Sequence, residues 1–191
     1  MKIIDKLSYA FSKSMCYQLR KENDIEIIKY GIEILIRSSI KVFSLLIIGI
    51  LLNNLSLLII TTVSFILLRL SSGGFHFNSY KYCYFVSLGL LTVLSLIANE
   101  ITQVSLNWNL ILVGINFITI IILVIFKPLI NPNRPYVGQK HIYLKISIII
   151  SIVSLLISLS IKENFLSYSI AIQLAMLFQS LTLIRIEWSK I

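Results

Sequence analysis

Cys83 follows His76 by seven residues, and both close a segment that begins Arg69-Leu-Ser-Ser-Gly-Gly-Phe-His and lies between two long apolar runs. A thiol attacks a carbonyl carbon as its thiolate, and imidazole is the side chain best suited to take that proton near neutral pH. The chain holds only two Cys and two His, so one of each in so short a span marks a candidate nucleophile and base.

On one continuous helix His76 and Cys83 would share a face but stand about 10.5 Å apart along the axis, too far for a direct hydrogen bond. The residues around them offer another geometry. Gly73 and Gly74 can adopt backbone angles closed to other residues, and Asn78 and Ser79 are favoured helix N-caps. A helix starting at Asn78 or Ser79 places Cys83 near its first turn and leaves His76 in the preceding loop, free to fold back. There the helix dipole, Lys81 and a protonated His76 would each favour the thiolate. Backbone N–H groups of Gly73 and Gly74 could donate to a developing oxyanion, and the Arg69 guanidinium could grip a carboxylate or a peptide carbonyl. The plain alternatives are an ordinary turn for the glycines and a snorkelling residue for Arg69. No acidic residue lies close by to orient His76. Glu100 falls on the far side of the next span, Glu26 and Glu33 are not brought near by the sequence, and Asn78, Ser71, Ser72 and Ser79 are weaker candidates. The site reads as a dyad.

The elements that must hold this segment are membrane helices. With 57% hydrophobic and 13% charged residues and a mean hydropathy of +0.91, the 191-residue chain departs from any soluble domain. A helix needs about 20 apolar residues to cross the hydrocarbon core, fewer when flanking Lys or Arg snorkel. The charge-free runs predict six spans, roughly 32–52, 55–70, 80–98, 107–127, 142–161 and 165–185, with Asn53-Asn54 breaking the first long run. Sixteen of the seventeen Lys and Arg then fall on one side, and Lys162 alone on the other. The positive-inside rule puts both termini and the Arg69–Lys81 connection in the cytoplasm. Topology accounts for the net charge of +9, and no basic and aromatic interleaving calls for nucleic acid.

Before the first span, residues 1–24 predict an amphipathic helix. Ile3, Ile4, Leu7, Phe11 and Met15 share one face, and Lys2, Lys6, Lys13 and Arg20 the opposite one. This is the pattern of a helix lying on an anionic inner leaflet, or of one packed on the rest of the protein. The same charges interrupt any signal-peptide core. Cys16 projects near the Lys face and reads as incidental. A cytoplasmic pair of Cys does not suggest a disulfide, and two Cys and two His without paired spacing do not make a metal site. Between spans four and five, Pro128, Pro132 and Pro135 stiffen a loop carrying Lys127, Arg134 and Lys140, a stop signal that could also bind a peptide. The expected architecture is all-α, a single polytopic membrane bundle over residues 1–191 with about six transmembrane helices over 32–185 and an interfacial N-terminal helix.

These residues resemble the accessory gene regulator B family, the membrane cysteine endopeptidases of Gram-positive peptide quorum sensing. The similarity covers nearly the whole chain. It includes the Lys-rich N-terminus, the element carried by Arg69, Gly74 and His76, the Cys seven residues on, and the Pro and Lys loop after span four. The resemblance implies Cys83 as nucleophile, His76 as base, and Arg69 and Gly74 as residues needed for activity. The loop over 127–140 is less cationic than the family's Lys-rich versions. The implied substrate is a precursor peptide with an amphipathic leader, a signal segment bearing Cys or Ser, and an acidic tail. Cutting at the junction of signal and tail would leave an acyl-thioester that the substrate's own thiol or hydroxyl closes into a thiolactone or lactone. No cofactor is implied; membrane lipids and a homodimer are the other expected partners. The competing class is a non-catalytic transporter or scaffold. A transporter would show charged or broken helices in mid-span, whereas these spans are mostly Ile, Leu, Val and Ser, with Asn116 and Gln173 as scattered polar exceptions.

Overall fold

Inside a bilayer every backbone N–H and C=O must find a partner within its own segment, so long apolar runs have helix as their one local solution. The computed structural model describes residues 2–19, 25–74, 79–104, 107–126 and 140–184. These form α1 (Lys2–Leu19), α2 (Ile25–Leu51), α3 (Leu55–Ser72), α4 (Tyr80–Glu100), α5 (Trp108–Phe126), α6 (Lys140–Ile161) and α7 (Leu166–Leu181), with no strand among the described residues. The protein is an all-α polytopic membrane bundle. Helices α2 to α6 are long and apolar enough to cross a membrane. The last predicted span, 165–185, is shorter than expected: α7 has 16 residues, about 24 Å of helix against a hydrocarbon core of about 30 Å.

The chain forms two compact units, residues 1–47 and 48–191. In the first, α1 exposes Leu7, Phe11 and Met15 and buries Ser8, Ser12 and Cys16. The large apolar residues of the stripe are thus exposed while the small face packs. The burial of Cys16 was not expected. Its position beside the Lys face left it reading as a surface residue, yet the face that packs is the small one at i, i+4, i+8. On α2, Glu33 pairs with Arg37 one turn on.

In the second unit α2 ends in a Schellman motif. Asn53 takes the left-handed conformation at φ 52°, the Asn54 N–H reaches the Gly49 carbonyl at 2.9 Å, and the Asn53 N–H reaches the Ile50 carbonyl at 3.1 Å. Asn tolerates that conformation better than most residues, so the Asn53-Asn54 interruption is a true helix stop. The helices then alternate in direction. At one end, the start of α3 meets the finish of α4 through Asn54 and Ser95 at 3.2 Å, and Lys162 after α6 donates to Asn109 at the start of α5. Leu57, Ala98, Leu112, Ile170 and Ala171 form the core there. At the other end Leu68, Leu123, Met176 and Leu183 pack together. That end carries Arg69, Lys81, Lys140 and Lys145.

Helix α7 is the centre of the second unit, packed against α3, α4, α5 and α6. Its neighbours approach closely because α6 presents Ser147, Ser151, Ser154 and Ser158, all buried, on one face. Asn116 and Gln173, which look scattered in sequence, belong to one network. The Asn116 amide donates to the Ser151 carbonyl at 2.8 Å and to Gln173 Oε1 at 3.2 Å, while Gln173 Nε2 donates to Ser158 Oγ at 3.0 Å. Interhelical bonds of this kind contribute about 0.6 kcal/mol each in membranes, so the network sets helix register more than total stability.

Candidate active site

The last turn of α3 ends on its own hydroxyls. Ser71 and Ser72 bend back to the Leu68 carbonyl at 3.0 and 2.8 Å, and the Gly73 N–H closes onto the Arg69 carbonyl at 2.9 Å. The chain then turns sharply, with Gly73 at φ 72°, ψ −137° and Gly74 at φ 141°. Both positions lie in backbone regions that side chains with a Cβ rarely adopt.

One buried residue of α7 holds this turn. Gln179, 0% exposed, donates from Nε2 to the Gly73 carbonyl at 2.6 Å and to Ser72 Oγ at 3.3 Å, and its Oε1 accepts from Arg69 Nη1 at 3.3 Å. Flipping the amide would set its NH₂ against the guanidinium and its oxygen against a carbonyl, so the donor pattern fixes its orientation. The Arg69 guanidinium also lies 5.9 Å from the centroid of the Phe65 ring, a cation–π contact. Thr182 closes the other side: a Cβ on Gly74 would come within 2.6 Å of its Oγ1. From α6, Ser147 donates to Ser71 at 2.9 Å. Arg69, Gly73 and Gly74 are therefore brought together, by residues that the sequence reading did not single out. The available signal was a Gln near the end of an apolar run.

The candidate nucleophile sits on the next helix. Ser79 is extended at φ −100°, ψ 126° and takes the N-cap position, one of the two read from the sequence, with α4 beginning at Tyr80; the Ser79 hydroxyl makes no capping bond. The Cys83 N–H closes onto the Ser79 carbonyl at 3.2 Å, the first intrahelical bond of α4. Cys83 thus closes the first turn of α4. It is half-buried on the face it shares with Tyr80, Tyr84 and Ser87, and Ser87 donates to its carbonyl. The Tyr80 and Tyr84 rings stand 6.0 Å apart, and Lys81 is exposed in the same turn. The other thiol, Cys16, is fully buried. Because α4 packs on both α3 and α7 and runs opposite to α3, its first turn and the Gly73–Gly74 turn lie at the same end of the bundle.

His76 and Asn78 lie outside the described residues, as do Lys127 and Arg134 of the candidate substrate loop. Lys140 is the first residue of α6. Among the described residues no group of three His, Cys, Asp or Glu could hold a metal ion. What the arrangement offers is a half-buried cysteine in the first turn of a helix, at the same end of the bundle as a strained glycine turn whose Gly73 carbonyl and neighbouring Arg69 are held by a buried amide.

The chain is 29% identical to the accessory gene regulator protein B of Staphylococcus aureus (strain MW2) over 181 residues, which covers 90% of this chain and 91% of that one. The protein of the same name from strain MRSA252 is 28% identical over the same shares. An AgrB-like protein of Clostridium perfringens (strain SM101 / Type A) is 28% identical over 142 residues, covering 72% of this chain and 66% of that one. No solved structure matches. The family model described as accessory gene regulator B matches residues 4–183, which takes in α2 to α7 and all of α1 but its first two residues. The chain belongs to the accessory gene regulator B family.

Proposed function

We propose that this protein is a membrane cysteine endopeptidase of peptide quorum sensing, cutting a precursor peptide at the C-terminal side of its signal segment. The observation that carries the reading is the contrast between two thiols. Cys83 is half-buried in the first turn of a helix, at the bundle end that carries the glycine turn, while Cys16 is shut away.

The Cys83 thiolate attacks the carbonyl carbon at the junction of signal and acidic tail, and the oxyanion that forms takes a hydrogen bond from the Gly74 N–H, since the Gly73 N–H is engaged by the Arg69 carbonyl. His76 gives a proton to the leaving amine, the C–N bond breaks, and an acyl-thioester remains on Cys83. Water would release a linear peptide. Attack by the substrate's own thiol exchanges one thioester for another, nearly balanced in bond energy, so ring closure depends on placing that thiol and excluding water. Proximity can supply the first, with effective molarities of about 10⁵ M or more for well-oriented groups.

A precursor whose ring-closing Cys or Ser is replaced by Ala can leave only by hydrolysis, so the acyl-enzyme should build up. Acid quenching during turnover is expected to yield an adduct on the peptide containing Cys83, of the mass of leader plus signal, removed by neutral hydroxylamine. An adduct on any other residue, or cutting with no hydroxylamine-sensitive adduct at all, would refute the covalent route.

The site and both termini face the cytoplasm in this reading, where a ribosomally made precursor would meet them on the inner leaflet. Support comes from the single bundle end that collects Arg69, Lys81, Lys140 and Lys145 while Lys162 stands at the other. An impermeant thiol reagent is expected to label Cys83 only after the membrane is opened. Labelling from outside intact cells would reverse the orientation.

A further inference from the structure

We propose that Gln179 is a positioning residue for the reaction: by tying the Gly73 carbonyl to α7 it aims the Gly74 N–H at the oxyanion and sets the Arg69 guanidinium beside it. This rests on the reading of Cys83 as nucleophile. The peptide between Gly73 and Gly74 is trans, so its C=O and N–H point in opposite directions. A carbonyl held at 2.6 Å by Gln179 Nε2 turns toward α7, and the Gly74 N–H is thereby turned away from it.

Three features make Gln179 a brace rather than a filler. It is 0% exposed, and its amide reaches the turn at three points: Gly73, Ser72 and Arg69. It projects from the central helix, one turn beyond Met176, which packs with Leu68 and Leu123. Finally, the turn has no slack on that side, since Gly74 lies against Thr182 with no room for a Cβ. A glycine turn left to itself would sample many conformations; a buried amide on a rigid helix selects one.

The test compares Gln179→Met and Gln179→Glu in the full chain, reconstituted in vesicles with the precursor peptide. Met keeps the volume and makes none of the three bonds. Glu keeps an acceptor for Arg69 but loses the donor to the Gly73 carbonyl. Both variants are expected to lower kcat by about 10- to 100-fold with KM within about twofold, normalised to folded protein, because misplacement of a reacting group costs up to about 10²-fold. Alkylation of Cys83 by a small neutral reagent should keep its wild-type rate, since the thiol itself is untouched. Should Gln179→Met fail to fold, the Gln179→Glu variant decides alone. Wild-type kcat in Gln179→Glu, or a loss confined to KM or to the amount of folded protein, overturns the inference. Cys83→Ala run alongside separates the two readings. If it still cuts, the proposed function fails; if it is inactive while both Gln179 variants turn over normally, only the positioning role fails.

Discussion

Cys83→Ala is expected to abolish cutting of the precursor, a loss on the order of 10³-fold or more, while Cys16→Ala stays within about twofold of wild type. Removing the nucleophile of a covalent mechanism removes the intermediate itself, and such losses are among the largest single-residue effects. Three orders of magnitude correspond to about 4 kcal/mol of transition-state stabilisation. Cys16 has no such part to play. It is buried with Ser8 and Ser12 on the packed face of α1, and Ala removes little more than one sulfur from that face. His76→Ala should cost about 10²- to 10⁴-fold, the range for general acid–base groups. The measurement is co-expression with the precursor, read by gel shift and by the mass of the released peptide, with membrane levels of each variant matched. Cutting by Cys83→Ala, or loss of cutting in Cys16→Ala at normal levels, would sink the assignment of the nucleophile.

How much of this site was legible beforehand follows from the range of the interactions that build it. The start of α4 just after Ser79 could be read because such a boundary is local, a small polar residue ahead of an apolar run, even though the Ser79 hydroxyl makes no capping bond. The spans were readable for a similar reason, since hydropathy over about 20 residues settles membrane insertion without regard to neighbours. The Asn53-Asn54 stop belongs to the same class. Gln179 was not legible. Its partners stand 106 to 110 positions earlier, and nothing in the composition of α7 distinguishes a central helix from a peripheral one. The same distance hid the joining of Asn116 to Gln173, which are 57 positions apart. Cys16 was misjudged for a different reason. A wheel assigns burial by apolarity, but α1 packs through its small residues and leaves Leu7, Phe11 and Met15 exposed.

The second large effect is expected at Gly74, where Ala should lower both the unfolding midpoint and the rate of cutting, the latter by about 10- to 100-fold. Two costs coincide there. The backbone at φ 141° is strained for any residue with a Cβ, by about 1–3 kcal/mol. The new methyl would also stand 2.6 Å from Thr182 Oγ1 and 3.2 Å from both Arg69 Nη1 and Gln179 Nε2. Overpacking of this kind adds about 1–3 kcal/mol unless the neighbours give way. The long Arg69 and Gln179 side chains can yield a few tenths of an ångström, but only by loosening the bonds that hold the turn. The two costs can be separated. Adding Thr182→Ala to Gly74→Ala removes the shortest contact and should return part of the stability, measured as the thermal midpoint in detergent. The backbone strain remains in the double variant, so the turn still relaxes away from its native angles and cutting should stay low. If Gly74→Ala cuts at the wild-type rate, the geometry of this turn does not govern the chemistry. Full recovery of cutting in the double variant would instead make packing against Thr182, and not the backbone angle, the reason for a glycine at this position.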